Sequence, residues 1–424
     1  MKFIRSLTIL LGLITPIFGQ NELIFTDNLG SDITIVILVF FISIITTVGG
    51  VGGGGLLIPL YLLVGKFELS YAIPLSIVTI LGDTTVRMLA LFNKKHPLST
   101  KRFLIDLSPL LILVPFDANT SFIGVIMSET IPSSITIFFI VLVLSFTFYK
   151  STRKALETYL KENIFFEEQD SFELVVIDGI GEYFPKSKIE ENRNELIENN
   201  HHGDSIENQF LRSFFLFLSI AVVSAFSITR TLVTKCQSLY WTNIVGQIIV
   251  MLIIGYKVSI YIMSDYIFKR EHNYIFLEGD IVWDKYNIFK FIGIGTITGF
   301  LSTYMGIGGG MLITPIMIQV GMIPEVVVAT GSISTFFSSF ITTINYMVGG
   351  KILWSYALTC ALSSSLGSLV GLKLSEFILS YLKRQSIIIF LVSLILFMSI
   401  ILLIFESVSN WDNSFKFVNY CPQN

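Results

Sequence analysis

The sequence predicts an all-α polytopic membrane protein made of two inverted repeats with broken, glycine-rich helices. Three observations carry that expectation: the composition, the spacing of the apolar runs, and a glycine cluster that occurs twice. Of 424 residues 53% are apolar and 14% charged, and Phe alone fills 37 positions; soluble domains are roughly 45–50% apolar and about 25% charged. Mean hydropathy is +0.74. A soluble chain of this length leaves too much surface in water to hide so much apolar area. The acids are clustered as well, with 14 of the 31 Asp and Glu at positions 150–209. A net charge of −3 gives no sign of a nucleic-acid partner. Four His and three Cys are too few for a zinc framework, so no metal site is expected.

Residues 1–19 read as a signal peptide. Lys2 and Arg5 precede the apolar stretch 7–14 and a cleavage region at 16–19, and the whole is too short to span; a retained anchor is the alternative. Cleavage leaves Gln20 on the outer or lumenal side. The chain is thus expected to insert through the secretory pathway into the plasma membrane or an endomembrane.

Apolar runs follow at 33–48, 56–64, 71–92, 103–116, 133–149, 210–228, 241–263, 288–305, 311–320, 325–348, 352–371 and 386–405. A crossing needs about 20 helical residues. The runs 56–64 and 311–320 are too short, and each follows glycines, so each reads as a half-helix. Basic residues gather in short cytoplasmic loops. They cluster here at Lys94, Lys95, Lys101 and Arg102, at 150–161, at 269–285 and at 373–384, while 20–32 and 117–132 hold no Lys or Arg. All four clusters fall on one side if the chain starts outside and each glycine-linked pair counts as two passes. The resulting division is a first repeat at 20–149, an acidic cytoplasmic loop at 150–209, two additional spans at 210–263, a cytoplasmic loop at 264–287, a second repeat at 288–405 and a tail at 406–424. The acidic loop, with its pair His201-His202, has the composition of a flexible linker.

An offset of 256 positions lays Gly50-Val51-Gly52-Gly53-Gly54-Gly55-Leu56-Leu57-Ile58-Pro59 on Gly306-Ile307-Gly308-Gly309-Gly310-Met311-Leu312-Ile313-Thr314-Pro315. The match continues without a gap through Ser76 and Ser332, and Thr79 and Thr335, to Lys95 and Lys351. One copy starts outside and the other inside. Inverted repeats with discontinuous helices are a transporter architecture, with the substrate site near the midplane. Pro59 and Pro315 are the expected hinges of the half-helices. Glycine has two uses here. It lets helices pack closely in lipid, or it leaves backbone N–H groups open beside a helix N-terminus, where anions collect. Gly52, Gly53, Gly54 and Gly55, answered by Gly308, Gly309 and Gly310, exceed what packing needs, which points to a small anion. No Lys-Ser/Thr follows either cluster, so a soluble phosphate loop is excluded.

These clusters, the Lys94-Lys95-His96-Pro97 loop and the run Cys236-Gln237-Ser238-Leu239-Tyr240-Trp241 resemble the sulfite exporter TauE/SafE family, the last two features its eukaryotic branch. The resemblance covers 33–405. It implies an integral membrane transporter, in bacterial members of sulfite, organosulfonates or related sulfur oxyanions. Asp83 and Arg87 depart from the small or hydroxyl residues of the family pattern.

Polar residues inside the runs complete the candidate site. Asp83 and Arg87 are four apart and share a helix face; each charge costs about 2.5–3.5 kcal/mol at mid-bilayer. They form a functional ion pair, or Arg87 reaches the cytoplasmic surface along its own stem. Ser76, Thr79, Ser332 and Thr335 either ligate an oxyanion or bond back to their own helix. Asp106 and Asp117 lie at the ends of the run 103–116 and are expected at the interfaces. Asn119-Thr120-Ser121 is a glycosylation sequon on the expected lumenal side. Nothing resembles a catalytic triad or nucleotide fold, so no enzyme and no cofactor is expected. The reading is therefore a carrier in the lipid bilayer that exchanges a small anion by alternating access, with a proton at Asp83 as candidate coupling ion. An anion channel, or a non-transporting scaffold working through 150–209, are the competing readings. Cys236 and Cys421 both fall outside in this topology and are expected to form a disulfide.

Overall fold

The computed structural model describes residues 29–409 except 51, 176–205, 234–235, 273, 275, 278 and 383–385. The signal peptide, His201-His202 and Cys421 lie outside the described residues. The chain is an all-α polytopic membrane protein. Its helices are α1 (Leu29–Gly49), α2 (Gly54–Leu63), α3 (Leu69–Leu91), α4 (Leu107–Thr130), α5 (Ser133–Val175), α6 (Ile206–Thr231), α7 (Ser238–Glu271), α8 (Lys285–Met305), α9 (Gly309–Val320), α10 (Pro324–Gly349), α11 (Trp354–Leu382) and α12 (Ser386–Ser409). Nine of the described helices are long and apolar enough to cross a membrane. Phe138, Phe146, Tyr256, Ile297 and Leu362 are exposed, an apolar outer face suited to lipid. The half-helices α2 and α9 have 10 and 12 residues, as the short runs predict.

Packing is reciprocal between the two halves. α4 packs on α8 as α11 packs on α1, α11 packs on α3 as α4 packs on α10, and α12 lies on α2 as α5 lies on α9. Small residues set the first seam. A Cβ on Gly371 would stand 2.7 Å from Ile44 O and 2.8 Å from Thr47 Cβ, and one on Gly124 would stand 2.8 Å from Phe300 O and Thr303 Cβ. Ile44 and Thr47 map onto Phe300 and Thr303 at the 256 offset, so Gly124 corresponds to Gly371, an offset of 247. The residues then agree as Ser121, Gly124, Ser128 and Glu129 with Ser368, Gly371, Ser375 and Glu376. The repeat thus extends into a fourth helix, nine positions out of register. The first half uses its longer connection for a hairpin, β1 (Lys95–His96) with β2 (Ser99–Phe103).

Equivalent helices run antiparallel. Arg87 near the end of α3 meets Ser332 near the start of α10 at 3.4 Å, while Lys351, just past α10, lies 5.6 Å over the ring of Tyr71 at the start of α3. Likewise Ser393 meets Ser151 at 3.1 Å, and Phe148 and Tyr159 of α5 stack near Phe397 and Phe390 of α12. The additional helices α6 and α7 cover α4, and α6 also touches α10.

The structure corrects two boundaries. α5 continues to Val175, so the first part of the expected linker is helical. α4 runs through Thr130, where a loop is expected from 117. Asp117 and Asn119, at 3% and 7% exposure, are therefore buried inside a helix rather than interfacial. The sequon is buried with them, out of reach of a glycosylating enzyme. Asp106 does sit at a helix boundary, as the α4 N-cap, accepting from Ser108 N at 3.0 Å. Cys236 is disulfide-bonded and Cys360 is a buried free thiol.

The hairpin is tied to the loop before α8 by Arg102, which donates to both oxygens of Asp280 at 2.7 and 2.9 Å. Burial lifts the Asp280 carboxyl above the usual range, and Arg102 opposes that rise. Arg102→Met leaves Asp280 without this counter-charge and is expected to cost about 3 kcal/mol, read as a lower thermal midpoint at neutral pH. A carboxyl whose folded pKa is raised costs stability as pH rises through it, so the deficit should shrink in mild acid. An equal deficit at both pH values would count against the pairing.

Candidate functional site

Two chain breaks meet at the centre of the fold. After α1 the backbone turns at Gly50 with φ +66°, and after α8 it turns at Gly306 with φ +66°. Only glycine adopts that region freely. Each turn is held by the other half: Ser76 Oγ donates to Gly306 O at 2.7 Å, and Thr314 Oγ1 donates to Gly50 O at 3.5 Å. A Cβ on Gly54 would stand 2.5 Å from the Ile307 backbone; one on Gly310 would stand 3.3 Å from Gly52 N and collide with Thr335 Oγ1. The glycines predicted from sequence are thus brought together, and close backbone approach is one of their roles.

The half-helices also begin here. α2 starts after Gly53 and α9 after Gly308, and no side chain caps either N-terminus. Uncapped N–H groups and the helix dipole favour an anion at such an end. Pro59 and Pro315 lie inside α2 and α9, buried.

The hydroxyls flanking the breaks are mostly engaged with their own helices. Thr79 donates to Leu75 O at 2.8 Å, Ser332 to Val328 O at 2.7 Å and Thr335 to Gly331 O at 2.7 Å. Ser76 is shared between Ile73 O and Gly306 O. With these hydrogens spent, the four hydroxyls are already committed within the protein.

Asp83 and Arg87 form a buried ion pair within α3, with Arg87 only 1% exposed. Thr47 Oγ1 donates to Asp83 Oδ1 at 2.9 Å, and Arg87 Nη1 donates to Ser332 Oγ at 3.4 Å. The arginine therefore links the two halves and does not extend its stem to the surface.

Sequence reasoning missed Asp117 because the polar residues after Phe116 look like the end of an apolar run. Gly299 of α8 packs beneath its backbone. Among the described residues neither of its carboxyl oxygens has a hydrogen-bond partner. The available signal was Gly124-x-x-x-Ser128-Glu129 repeated at 371–376, which extends the helix past Asp117.

Two clefts of similar size flank this centre, at opposite ends of the crossing helices. One, of about 180 Å³, is lined by Arg87, Lys94 and Leu91 beside Leu372 and Glu376. The other, of about 170 Å³, is lined by Asn345, Val348 and Gly349 beside Val125 and Glu129, with Arg230 and Tyr240 from α6 and α7. Leu372 and Glu376 correspond to Val125 and Glu129 at the 247 offset, so the clefts occupy equivalent places in the two halves. Arg87 maps onto Thr343 at the 256 offset. The guanidinium of the second cleft comes instead from α6, where Arg230 Nη2 donates to Gln247 Oε1 at 2.6 Å and Ser227 Oγ at 2.9 Å.

Residues 201–402 match the family model described as Sulfite exporter TauE/SafE. The chain is 26% identical over 391 residues to Sulfite exporter TauE/SafE family protein 1 of Arabidopsis thaliana, covering 89% of this chain and 84% of that one. It is 27% identical over 388 residues to family protein 2 of the same plant, covering 87% and 81%. A shorter match, 36% identical over 81 residues, joins 19% of this chain to 30% of Probable membrane transporter protein YunE of Bacillus subtilis. No solved structure matches the chain.

Proposed function

We propose that this chain, similar to TauE/SafE transporters over most of its length, carries a small anion across the membrane by alternating access. The observation behind the reading is the meeting of two uncapped half-helix N-termini at paired glycine breaks in the protein interior. Non-helical backbone at membrane depth persists where protein or a cavity surrounds it, and two converging N-termini suit an anion. The antiparallel course of equivalent helices supports an inverted repeat, and the equivalent clefts at opposite ends supply one access route per face. Sulfite, named in the relatives' family, is the first substrate to try, followed by organosulfonates and sulfate.

The test is flux of a substrate panel through the purified full-length protein in proteoliposomes. Saturable sulfite uptake that speeds up when the vesicles are preloaded with the same anion is expected. Flux that never saturates would favour a channel, and no flux with any anion would sink the reading. Gly53→Val and Gly309→Val are informative partners. An added Cβ meets Thr46 and Ser338 at 3.2–3.3 Å and the two further methyls of valine reach beyond it, so flux is compared only for protein that elutes as a single folded peak. Uptake should be abolished, because the side chain screens the first N–H groups of each half-helix. Full flux from the folded variants would assign the glycines to packing alone.

A further inference from the structure

We propose that Asp117 carries a proton coupled to the anion site at the second glycine break, so that proton and anion cross together. The inference rests on the anion reading above and deepens it by naming the coupling ion and its residue.

Asp117 stands within α4, 3% exposed, with both carboxyl oxygens lacking a hydrogen-bond partner among the described residues. The Ser338 hydroxyl of α10 comes near the carboxyl without reaching hydrogen-bond geometry. The Ser338 hydroxyl lies 3.5 Å from Ser302 Oγ and 3.2 Å from where a Cβ on Gly309 would stand. It therefore sits between the carboxyl and the first turn of α9, where the anion is placed.

Among the described residues the surroundings hold no counter-charge at this level of the helix. From α8 the neighbour is Gly299, and from α10 it is Ser338. The charged groups of α6 and α7 lie toward the helix ends. Arg212 donates to Ser108 and to Asp265, which Lys269 also meets; Ser108 is nine residues away, about 13 Å of helix rise. Arg230 lies 5.8 Å from the Phe122 ring, five residues in the other direction, roughly 7 Å.

The other half shows that a carboxyl is not needed for packing here. At the 247 offset Asp117 corresponds to Ser364, whose hydroxyl donates to Thr79 O at 2.8 Å. A hydroxyl satisfies that seam. A carboxyl retained within a membrane span costs more and is by default functional. Ionised, Asp117 repels an anion at the start of α9 through a medium of low dielectric. With the proton on a carboxyl oxygen the repulsion is gone. Each ion therefore favours binding of the other, and the coupling is reciprocal.

The experiment uses full-length protein in proteoliposomes with labelled sulfite and, in parallel, labelled sulfate, whose charge is constant near neutral pH. A pH gradient, acid on the anion side, should drive accumulation by the wild type. Asp117→Asn, which imitates the protonated carboxyl, should lower that accumulation by about tenfold or more yet keep anion-for-anion exchange. Asp117→Glu should retain gradient-driven accumulation. Wild-type accumulation that ignores the gradient, or persists in Asp117→Asn, overturns the proposal. So does loss of exchange along with accumulation in Asp117→Asn while Asp117→Glu keeps both, since that makes Asp117 part of the anion site itself. Absence of wild-type flux with either anion, in exchange as well as under the gradient, falls on the anion reading and takes this inference with it.

Discussion

Gly54→Ala is expected to separate the two half-helices and leave a protein that neither transports nor holds its fold. The new methyl would stand 2.5 Å from the carbonyl carbon, Cα and carbonyl oxygen of Ile307. Those are backbone atoms at the opposite chain break, which no rotamer change can move aside. Overpacking a tight core commonly costs about 1–3 kcal/mol, and a clash with fixed backbone belongs at or above the top of that range. The contrast is Gly53→Ala, one residue earlier, where the methyl meets the Thr46 side chain at 3.3 Å and should be tolerated. Thermal unfolding of the two variants in detergent, read by size-exclusion recovery, tests the difference. Equal midpoints would mean that α2 and Ile307 do not touch, and the meeting of the two breaks would fall.

Arg87→Met is the second large effect. It leaves the Asp83 carboxylate buried with Thr47 as its side-chain donor. Removing one partner of a buried pair costs about 3–5 kcal/mol, whereas replacing both by apolar groups is often neutral. The double variant Asp83→Leu/Arg87→Met should therefore recover most of the lost stability, a strong departure from additivity. Its transport separates two roles. A stable but inactive double variant would place the pair in the anion pathway beside Lys94 and Glu376. A stable and active one would leave it the task of joining α3 to Ser332 of α10. Additive losses from the two single changes would refute the pairing itself. Reversing the charges should restore function only partly, because Thr47 donates to position 83 and Ser332 accepts from position 87; a swapped pair misplaces both.

Much of the fold is legible in the chain by itself. The membrane class follows from composition, because lipid is the solvent that tolerates so many apolar side chains on the surface. The breaks before α2 and α9 follow from the glycine clusters, and the correspondence of the two helices after each break from the gapless 256 offset. These are local signals: a hydropathy run or a positive-φ turn depends on a few adjacent residues. Sequence could also pair Asp83 with Arg87 by helical spacing, but not say whether Arg87 ends in water.

The tertiary structure decided the rest. It placed Asp117, Asn119 and Thr120 inside α4, although a hydropathy run stops at Phe116. Thr120 Oγ1 donates to Thr296 O at 2.8 Å across the seam with α8, so this polar stretch faces protein rather than water. It extended the repeat into α4 and α11, hidden by the nine-position shift that the hairpin absorbs. It also committed the hydroxyls of Thr79, Ser332 and Thr335 to their own helices. The physical reason is common to the buried polar stretch of α4 and to these hydroxyls. Hydropathy weighs a side chain against lipid or water, whereas a polar group between helices is satisfied by another helix's carbonyl or by the preceding turn of its own. Which of these partners a residue meets depends on the packing of segments far apart in the chain.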